Sequence, residues 1–389
     1  MTDRPYRFEA ADLSENGGPT KFQLDAYPRK FTPSGAIRNA PEPASENFKP
    51  SPLKMDNNER TWESTEPFRV LAPKEVYVRA GESIQRAIDG APEGATIFVG
   101  EGIYKERLNI SRDNITLKAN GRAVFDMSGR FVSGPVIDIQ NRKNITIDGF
   151  EIRNVRGGPD PMAIRVNGAS SSIKIINNDI HHVESKSNAF GIGVFGTHRT
   201  PLTNIVIANN KIHDLKLGQS ESLVINGNVD GFKIVGNAIH DNDNIGIDII
   251  GGEGIGRAGI DQARNGVITR NHIANIDSGK NPAYRERCAA GIYLDGARDV
   301  LVQDNVVINS NYGIELASER RGWHTEGITV KHNRLERNHL AGISLGGGTP
   351  DNGGVKDSLI EDNQLIGNSR AVWQQDHVSG VLIRSNRIN

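Results

Sequence analysis

One cysteine, Cys288, in 389 residues excludes an intramolecular disulfide framework. Aromatic residues make up only 6% of the chain, which suits a turn-rich chain of thin, repetitive layers. Charge of one sign is absent as well. The formal net charge is −1, so the molecule as a whole makes no strong electrostatic claim on nucleic acid or a membrane surface. A basic stripe with interleaved aromatics is also missing, so no nucleic-acid partner is expected. No apolar run approaches the roughly 18–20 residues of a membrane helix, so no membrane partner is expected either. The N-terminal stretch MTDRPYRFEAADLSENGG has no apolar h-region, and no signal peptide is visible. The chain is expected to be secreted or periplasmic if it is a trimmed mature form, and cytoplasmic otherwise.

Glycine is abundant, at 43 residues, and proline is unevenly placed: 10 of its 17 copies fall in residues 1–73. Proline at that density blocks helix interiors and ladder hydrogen bonds alike. Tyr6, Phe8, Phe22, Tyr27, Phe31, Phe48, Trp62 and Phe68 are spread along it, so residues 1–73 read as an extended arm with aromatic anchors. The text changes at 74–110. Val76-Tyr77-Val78 reads as a strand, Ser83 to Ile88 as a short helix with a serine N-cap, Ala95 to Val99 as a second strand, and Gly100 to Tyr104 as a turn into the next. A solenoid needs its open apolar end covered, and this segment is the candidate N-terminal cap.

From about residue 111 to 389 a repeat takes over. Asn178, Asn210, Asn237, Asn271, Asn305, Asn333, Asn363 and Asn386 are each followed two residues later by Ile, Val or Leu, and Gly149 reads as the same slot one coil earlier. After most of them comes a Gly-Ile-x-Leu-like phrase: Gly191-Ile192-Gly193-Val194, Gly246-Ile247-Asp248-Ile249, Gly291-Ile292-Tyr293-Leu294, Gly313-Ile314-Glu315-Leu316 and Gly342-Ile343-Ser344-Leu345. Period-2 alternation with short turns, and no helical pattern between strands, predicts parallel strands stacked along one axis. Asparagine tolerates a left-handed corner and can bond to its copies above and below, so the asparagine column reads as scaffold.

The phrase Asn-Asn-x-Ile…Gly-Ile-x-Leu, preceded by Ser83-Ile84-Gln85…Tyr104, resembles the right-handed parallel β-helix proteins of the pectate-lyase-like superfamily over about residues 74–389. The resemblance implies an all-β, single-stranded right-handed parallel β-helix with a short N-terminal capping helix. It also implies activity on polysaccharides.

In such a stack the outward residues of the repeated strand form columns spaced about 4.8 Å per coil. The first column reads Arg165, Gly193, Val224, Asp248, Tyr293, Glu315, Ser344, Trp373; the second reads Asn167, Phe195, Asn226, Ile250, Asp295, Ala317, Gly346, Gln375. Carboxylates gather in the central coils, at Asp248, Asp295 and Glu315, whereas a plain solvated face would mix its charges along the axis. The longest insertions, 251–265, 277–290 and 317–327, adjoin the same coils and supply Glu253, Arg257, Asp261, Lys280, Tyr284, Arg285, Arg287, Glu319, Arg320, Arg321, Trp323 and His324. Basic groups beside carboxylates suit an acidic polysaccharide and can tune acid and base pKa values.

Two chemistries fit. In β-elimination on a uronic-acid polymer, the leading expectation, a cation neutralises the substrate carboxylate and Lys280, Tyr293, Arg285 or His324 removes the proton. In glycoside hydrolysis, Asp248 and Glu315 lie two coils apart, ~9–10 Å between strand positions, near the about 6.5–9.5 Å of an inverting pair. Asp295 stands diagonal to both. Epimerisation of a uronan is a third reading. Arg257, Tyr284, Arg285, Arg287, Glu319, Arg320, His324 and Trp373 are the expected substrate contacts.

The oxygen-rich run His240-Asp241-Asn242-Asp243-Asn244 ahead of Asp248 leaves calcium open as a cofactor, with Asp243 and Asp248 as candidate ligands. Family 9 polysaccharide lyases carry an Asp-Asp-Gly-x-Asp calcium run; Asn244-Ile245-Gly246-Ile247-Asp248 matches its glycine and final aspartate, and the next coil offers Tyr293 where that family has a lysine base. His181, His213 and His240 share one corner slot and read as structural. The competing class is a non-enzymatic adhesion or carbohydrate-binding β-helix. Such proteins often trimerise through an apolar outer face, and no long apolar outward column is visible here.

Overall fold

The computed structural model describes residues 74–389, and the proline-rich arm over 1–73 lies outside the described residues. Every strand pairs in parallel with its copy one coil on, giving one 10-stranded sheet and one 24-stranded sheet around a common axis. The chain is a parallel β-helix. Isoleucine, valine and leucine at alternate positions turn inward and form a single continuous core, in which Ile192, Ile247, Ile292, Ile314 and Ile343 are fully buried. No helix among the described residues is long and apolar enough to cross a membrane.

At the N-terminal end, the strand Glu75–Val78 leads into the helix Ile84–Gly90, whose Ser83 N-cap hydroxyl accepts the Arg86 amide. Ile84 and Ile88 bury the helix's apolar side. The expected turn at 100–104 is instead part of one strand, Thr96–Tyr104, with a register shift between Gly100 and Gly102. The Tyr104 hydroxyl donates to the Gly100 carbonyl at 2.8 Å and bridges that irregularity.

The asparagines form a ladder. Asn271 receives the backbone N–H and Nδ2 of Asn237 on its Oδ1, each at 2.9 Å, and its own Nδ2 donates to Ile234 O and Asn305 Oδ1. The same pattern runs from Asn178 to Asn386. The left-handed corner lies one residue earlier than the sequence suggests. Positive φ falls on Asn177, Asn209, Gly236, Arg270, Asp304, His332 and Asp362, not on the ladder residues. Gly149 accordingly aligns with Asn177, and Phe150 fills the ladder slot, its N–H donating to Asn178 Oδ1. His181, His213 and His240 sit just ahead of a left-handed residue, and their rings stack at 5.1 and 5.0 Å. His213 is held between Asp179 and Asp214, so the column is tied into the surface.

The glycine of the repeated phrase is required by close approach. A side chain at Gly246 would meet the Gly291 carbonyl at 2.5 Å, and one at Gly313 would run into the Gly342 carbonyl. The coils therefore stack tightly at the entry of each Gly-Ile-x-Leu strand, which fixes where the residues after it point.

Candidate active site

The ten-stranded sheet carries both outward columns in the expected register. Asp248 in Ile247–Ile250 pairs with Tyr293 in Ala290–Asp295, which pairs with Glu315 in Tyr312–Ala317; Ser344 and Trp373 continue the column. In the second column Asn226, Ile250, Asp295 and Ala317 stand in line. Alternation along each strand thus places Asp248, Tyr293 and Glu315 on consecutive coils, with Asp295 two residues beyond Tyr293.

These side chains are not solvated. Asp248, Tyr293 and Glu315 are each 2% exposed and Asp295 is 6% exposed. Nor is the outer face free of apolar surface: Met162, Phe190, Phe195, Val224, Ile250 and Ile255 form a second buried cluster, and Phe195, Val224 and Ile250 belong to the outward columns. The cluster sits beside the carboxylates and is short, because Arg165 and Asn167 precede it and Asp248 and Asp295 follow it.

Two insertions that follow their strands meet over this floor. Arg320 Nη2 lies 2.9 Å from Glu253 Oε1, and Asn226 Nδ2 donates to Glu253 Oε2 at 2.6 Å. Gly252 lies against the Trp323 ring, and Ile255 folds back onto Gly227. Asp261 fastens the first loop by accepting the amides of Gly254 and Gly256 at 2.5 and 2.8 Å. Thr325 fastens the second, its hydroxyl set between the carbonyls of Leu294 and Ala317. Asp295 Oδ1 accepts the Glu319 amide at 2.7 Å.

The electrostatic outcome is a set of buried carboxyls raised above their ordinary range. Burial, then the neighbouring Glu319 and Glu253 charges, push Asp295 well above the usual carboxylate range, against the opposing Glu319 amide and Arg320. Burial likewise raises Glu253 and Asp261. Arg320 is held more firmly charged by Glu253, Glu319 and Asp295, which together outweigh its burial.

The third insertion stands at the other edge of the sheet, ahead of its strand. It opens with the short 3-10 helix Ser278–Lys280 and is pinned backwards: Asn281 Nδ2 donates to Gly218 O and Asp243 O, and the Tyr284 hydroxyl donates to Gln219 O. Lys280 and Arg285 are exposed on it, and Arg287 pairs with Asp277 at 3.3 Å. The expected basic groups therefore divide. Arg320 joins the carboxyl cluster, whereas Lys280, Tyr284, Arg285 and Arg287 belong to the loop at the opposite edge of the sheet. Arg257 is exposed on the first loop, and His324 lies in His324–Glu326 of the larger sheet. Trp373 packs its ring toward Tyr312 at 6.1 Å. Glu253 and Asn226, whose contacts join the loops, are identifiable in the sequence only as members of a loop and a column.

The Asp243 carboxylate accepts the Leu217 amide at 2.7 Å, and among the described residues no group of three or more His, Cys, Asp or Glu is arranged to hold a metal. Burial raises Asp243 to about 6. A carboxyl raised in the folded state stabilises the fold below its unfolded value and loses that contribution as pH rises through about 6. Asp243→Asn is therefore expected to raise the thermal midpoint at pH 8 but not at pH 4, by the equivalent of about 3 kcal/mol. Melting curves across that range check it; equal shifts at both ends would refute it.

Residues 114–388 match the family described as "Right handed beta helix region". The uncharacterized protein YwoF of Bacillus subtilis (strain 168) is 35% identical over 333 residues, covering 82% of this chain and 68% of that protein. An alginate lyase from Paenibacillus sp. str. FPU-7 is similar in structure, with TM-score 0.57 and 15% identity over 79% of this chain and 99% of its own. A GH136 lacto-N-biosidase from Eubacterium ramulus gives 0.55 and 12% over 81% and 68%, and the pectate lyase Pel9A gives 0.52 and 15% over 82% and 80%. At these identities the likeness to the solved structures is one of fold.

Proposed function

The chain belongs to the right-handed β-helix family, and from that premise we propose that it is a carbohydrate-active enzyme that hydrolyses glycosidic bonds at Asp248, Asp295 and Glu315. The observation that carries this reading is Asp295, a buried outward carboxyl that burial and the Glu319 and Glu253 charges raise well above the usual carboxylate range, set diagonal to two further outward carboxyls. Hydrolysis needs one carboxylic acid to give a proton to the leaving oxygen and one carboxylate to take a proton from the attacking water, and the raised Asp295 suits the first role. Asp295 is the acid. Asp248 and Glu315 each stand diagonal to it, at roughly 8 Å by strand spacings, which leaves room for a water and predicts inversion at the anomeric carbon. The water oxygen bonds to that carbon, its proton passes to the carboxylate, and the Asp295 proton leaves with the departing sugar.

Elimination, the leading expectation from sequence, is less well supported by the geometry. Arg320, the guanidinium that joins the cluster, already pairs with Glu253; Lys280 and Arg285 stand on the loop at the opposite edge, which leaves Tyr293 as the expected base that lies among the carboxyls. The fold itself does not discriminate, since the similar solved structures include lyases and a hydrolase. A panel of neutral and acidic polysaccharides, with and without chelator, tests the reading. New saturated reducing ends of inverted configuration by proton NMR are expected; products carrying the ultraviolet absorbance of an unsaturated uronide would overturn it in favour of elimination.

A further inference from the structure

The outward columns carry no lysine or arginine between Arg165 and the C-terminal end of the sheet. Arg165 is itself neutralised by a two-pronged bond to Asp138, at 3.0 and 2.7 Å. A sugar seated over Asp248, Asp295 and Glu315 thus meets a floor rich in carboxyls, which disfavours a negative charge on that unit.

Arg370 is placed differently. Its guanidinium lies 4.5 Å over the Trp373 ring, and no carboxylate lies within ion-pair distance of it among the described residues. Trp373 is the outward residue two coils beyond Glu315, with Ser344 between them. Its ring is steadied by Tyr312 at 6.1 Å, and Gln375 Nε2 donates to Ser344 Oγ at 3.0 Å alongside. With Tyr312 beside the ring and Arg370 over its face, Trp373 serves as a shelf for the guanidinium rather than as an open stacking surface for a sugar. A guanidinium laid on an indole keeps its in-plane N–H donors available, and those donors suit the two oxygens of a carboxylate or sulfate.

We propose that Arg370, shelved on Trp373, is an anion subsite, and that the substrate is a mixed polysaccharide: uncharged at the cleaved linkage, with an acidic group roughly two to three sugar units away, Trp373 lying two coils beyond Glu315 and three beyond Asp295 at ~4.8 Å per coil. This rests on the carbohydrate-cleaving reading of the carboxyl cluster and gives it a substrate class. Binding can be tested without turnover, in an Asp295→Asn background, by titration calorimetry with four hexasaccharide probes. They are a glucan carrying one glucuronate unit at a terminus, a homogalacturonate, the uncharged glucan, and the same glucan bearing one sulfate ester at that terminus.

The single-uronate glucan is expected to bind more tightly than the homouronide and the uncharged glucan, and to weaken as salt is raised. Arg370→Gln should raise its Kd about tenfold and leave the glucan unchanged, with Arg370→Lys intermediate. Tighter binding of the sulfated glucan than of the single-uronate glucan would assign the subsite to sulfate rather than carboxylate and support the proposal in that form. Equal affinity of Arg370→Gln and the parent for the charged probes would overturn it. So would a homouronide that binds best, or the absence of binding by any charged probe. None of these readouts depends on whether the products are hydrolytic, so a failed subsite and a failed hydrolase reading remain distinguishable. The salt dependence of the parent needs no substitution to fold.

Discussion

Asp295→Asn is expected to lower kcat by a factor of ~10²–10⁴, the range for removing a positioned proton donor, while making the fold more stable at neutral and alkaline pH. The two effects share one cause. Burial and the neighbouring Glu319 and Glu253 charges hold the Asp295 carboxyl well above its ordinary range, so the folded chain binds this proton more tightly than the unfolded chain does. The resulting stabilisation is fully present below the unfolded value, roughly pH 3.9, and is lost as pH rises through the raised folded value. Asparagine keeps an oxygen for the Glu319 amide, 2.7 Å from Asp295 Oδ1 in the native site, and has no charge to bury. The parent's kcat should fall on the alkaline side as Asp295 ionises. Steady-state rates and melting temperatures from pH 4 to pH 9 separate the outcomes. A variant that retains activity would remove Asp295 from the reaction, and one that is inactive but less stable at every pH would make the carboxyl structural.

The strand register was legible before the structure because alternation is a short-range property. Ile247-Asp248-Ile249 and Ile314-Glu315-Leu316 can bury their isoleucines and leucines only by turning Asp248 and Glu315 outward. The environment of those carboxyls was not legible. Their burial accompanies loops joined by Glu253 and Arg320, which are 67 residues apart in sequence, and no local pattern encodes that pair. The division of the basic residues between two edges of the sheet has a similar origin: one insertion precedes its strand and two follow theirs, and composition ignores that order. A second ladder could have been read. Asn242, Ser310, Asn338 and Asn368 each lie five residues after a ladder asparagine, and Asn338 accepts the Ser310 amide at 3.0 Å as Asn368 accepts that of Asn338. The position of the left-handed corner follows from the ladder's own geometry. The residue before each rung turns the chain, so that the asparagine side chain points along the axis toward the next coil.

The ladder supplies the largest expected loss of stability. Asn271 is 1% exposed and bonds to the coil on either side of it, through Asn237 and Ile234 on one side and Asn305 on the other. Truncation to alanine leaves the Asn237 amide without its acceptor at 2.9 Å, the Ile234 carbonyl without its donor at 3.0 Å, and Asn305 Oδ1 short of one of its two donors. Each orphaned buried group costs about 1–3 kcal/mol, so Asn271→Ala should lose roughly 3–5 kcal/mol. Asn386 is the control. It is the last rung: its Oδ1 accepts the Asn363 amide at 3.0 Å, but its Nδ2 reaches only the Ile360 and Arg384 carbonyls and no further coil lies beyond it, so Asn386→Ala orphans one buried amide and should cost about 1–2 kcal/mol. Because coils support one another mainly through their neighbours, the central lesion should also open the adjacent coils. Urea unfolding measures the first effect, and hydrogen exchange at Asn237 and Asn305 measures the second. Similar losses at Asn271 and Asn386 would show that the ladder's bonds do not depend on burial, and would leave the tight stacking at Gly246 and Gly313 as the main constraint on the coil.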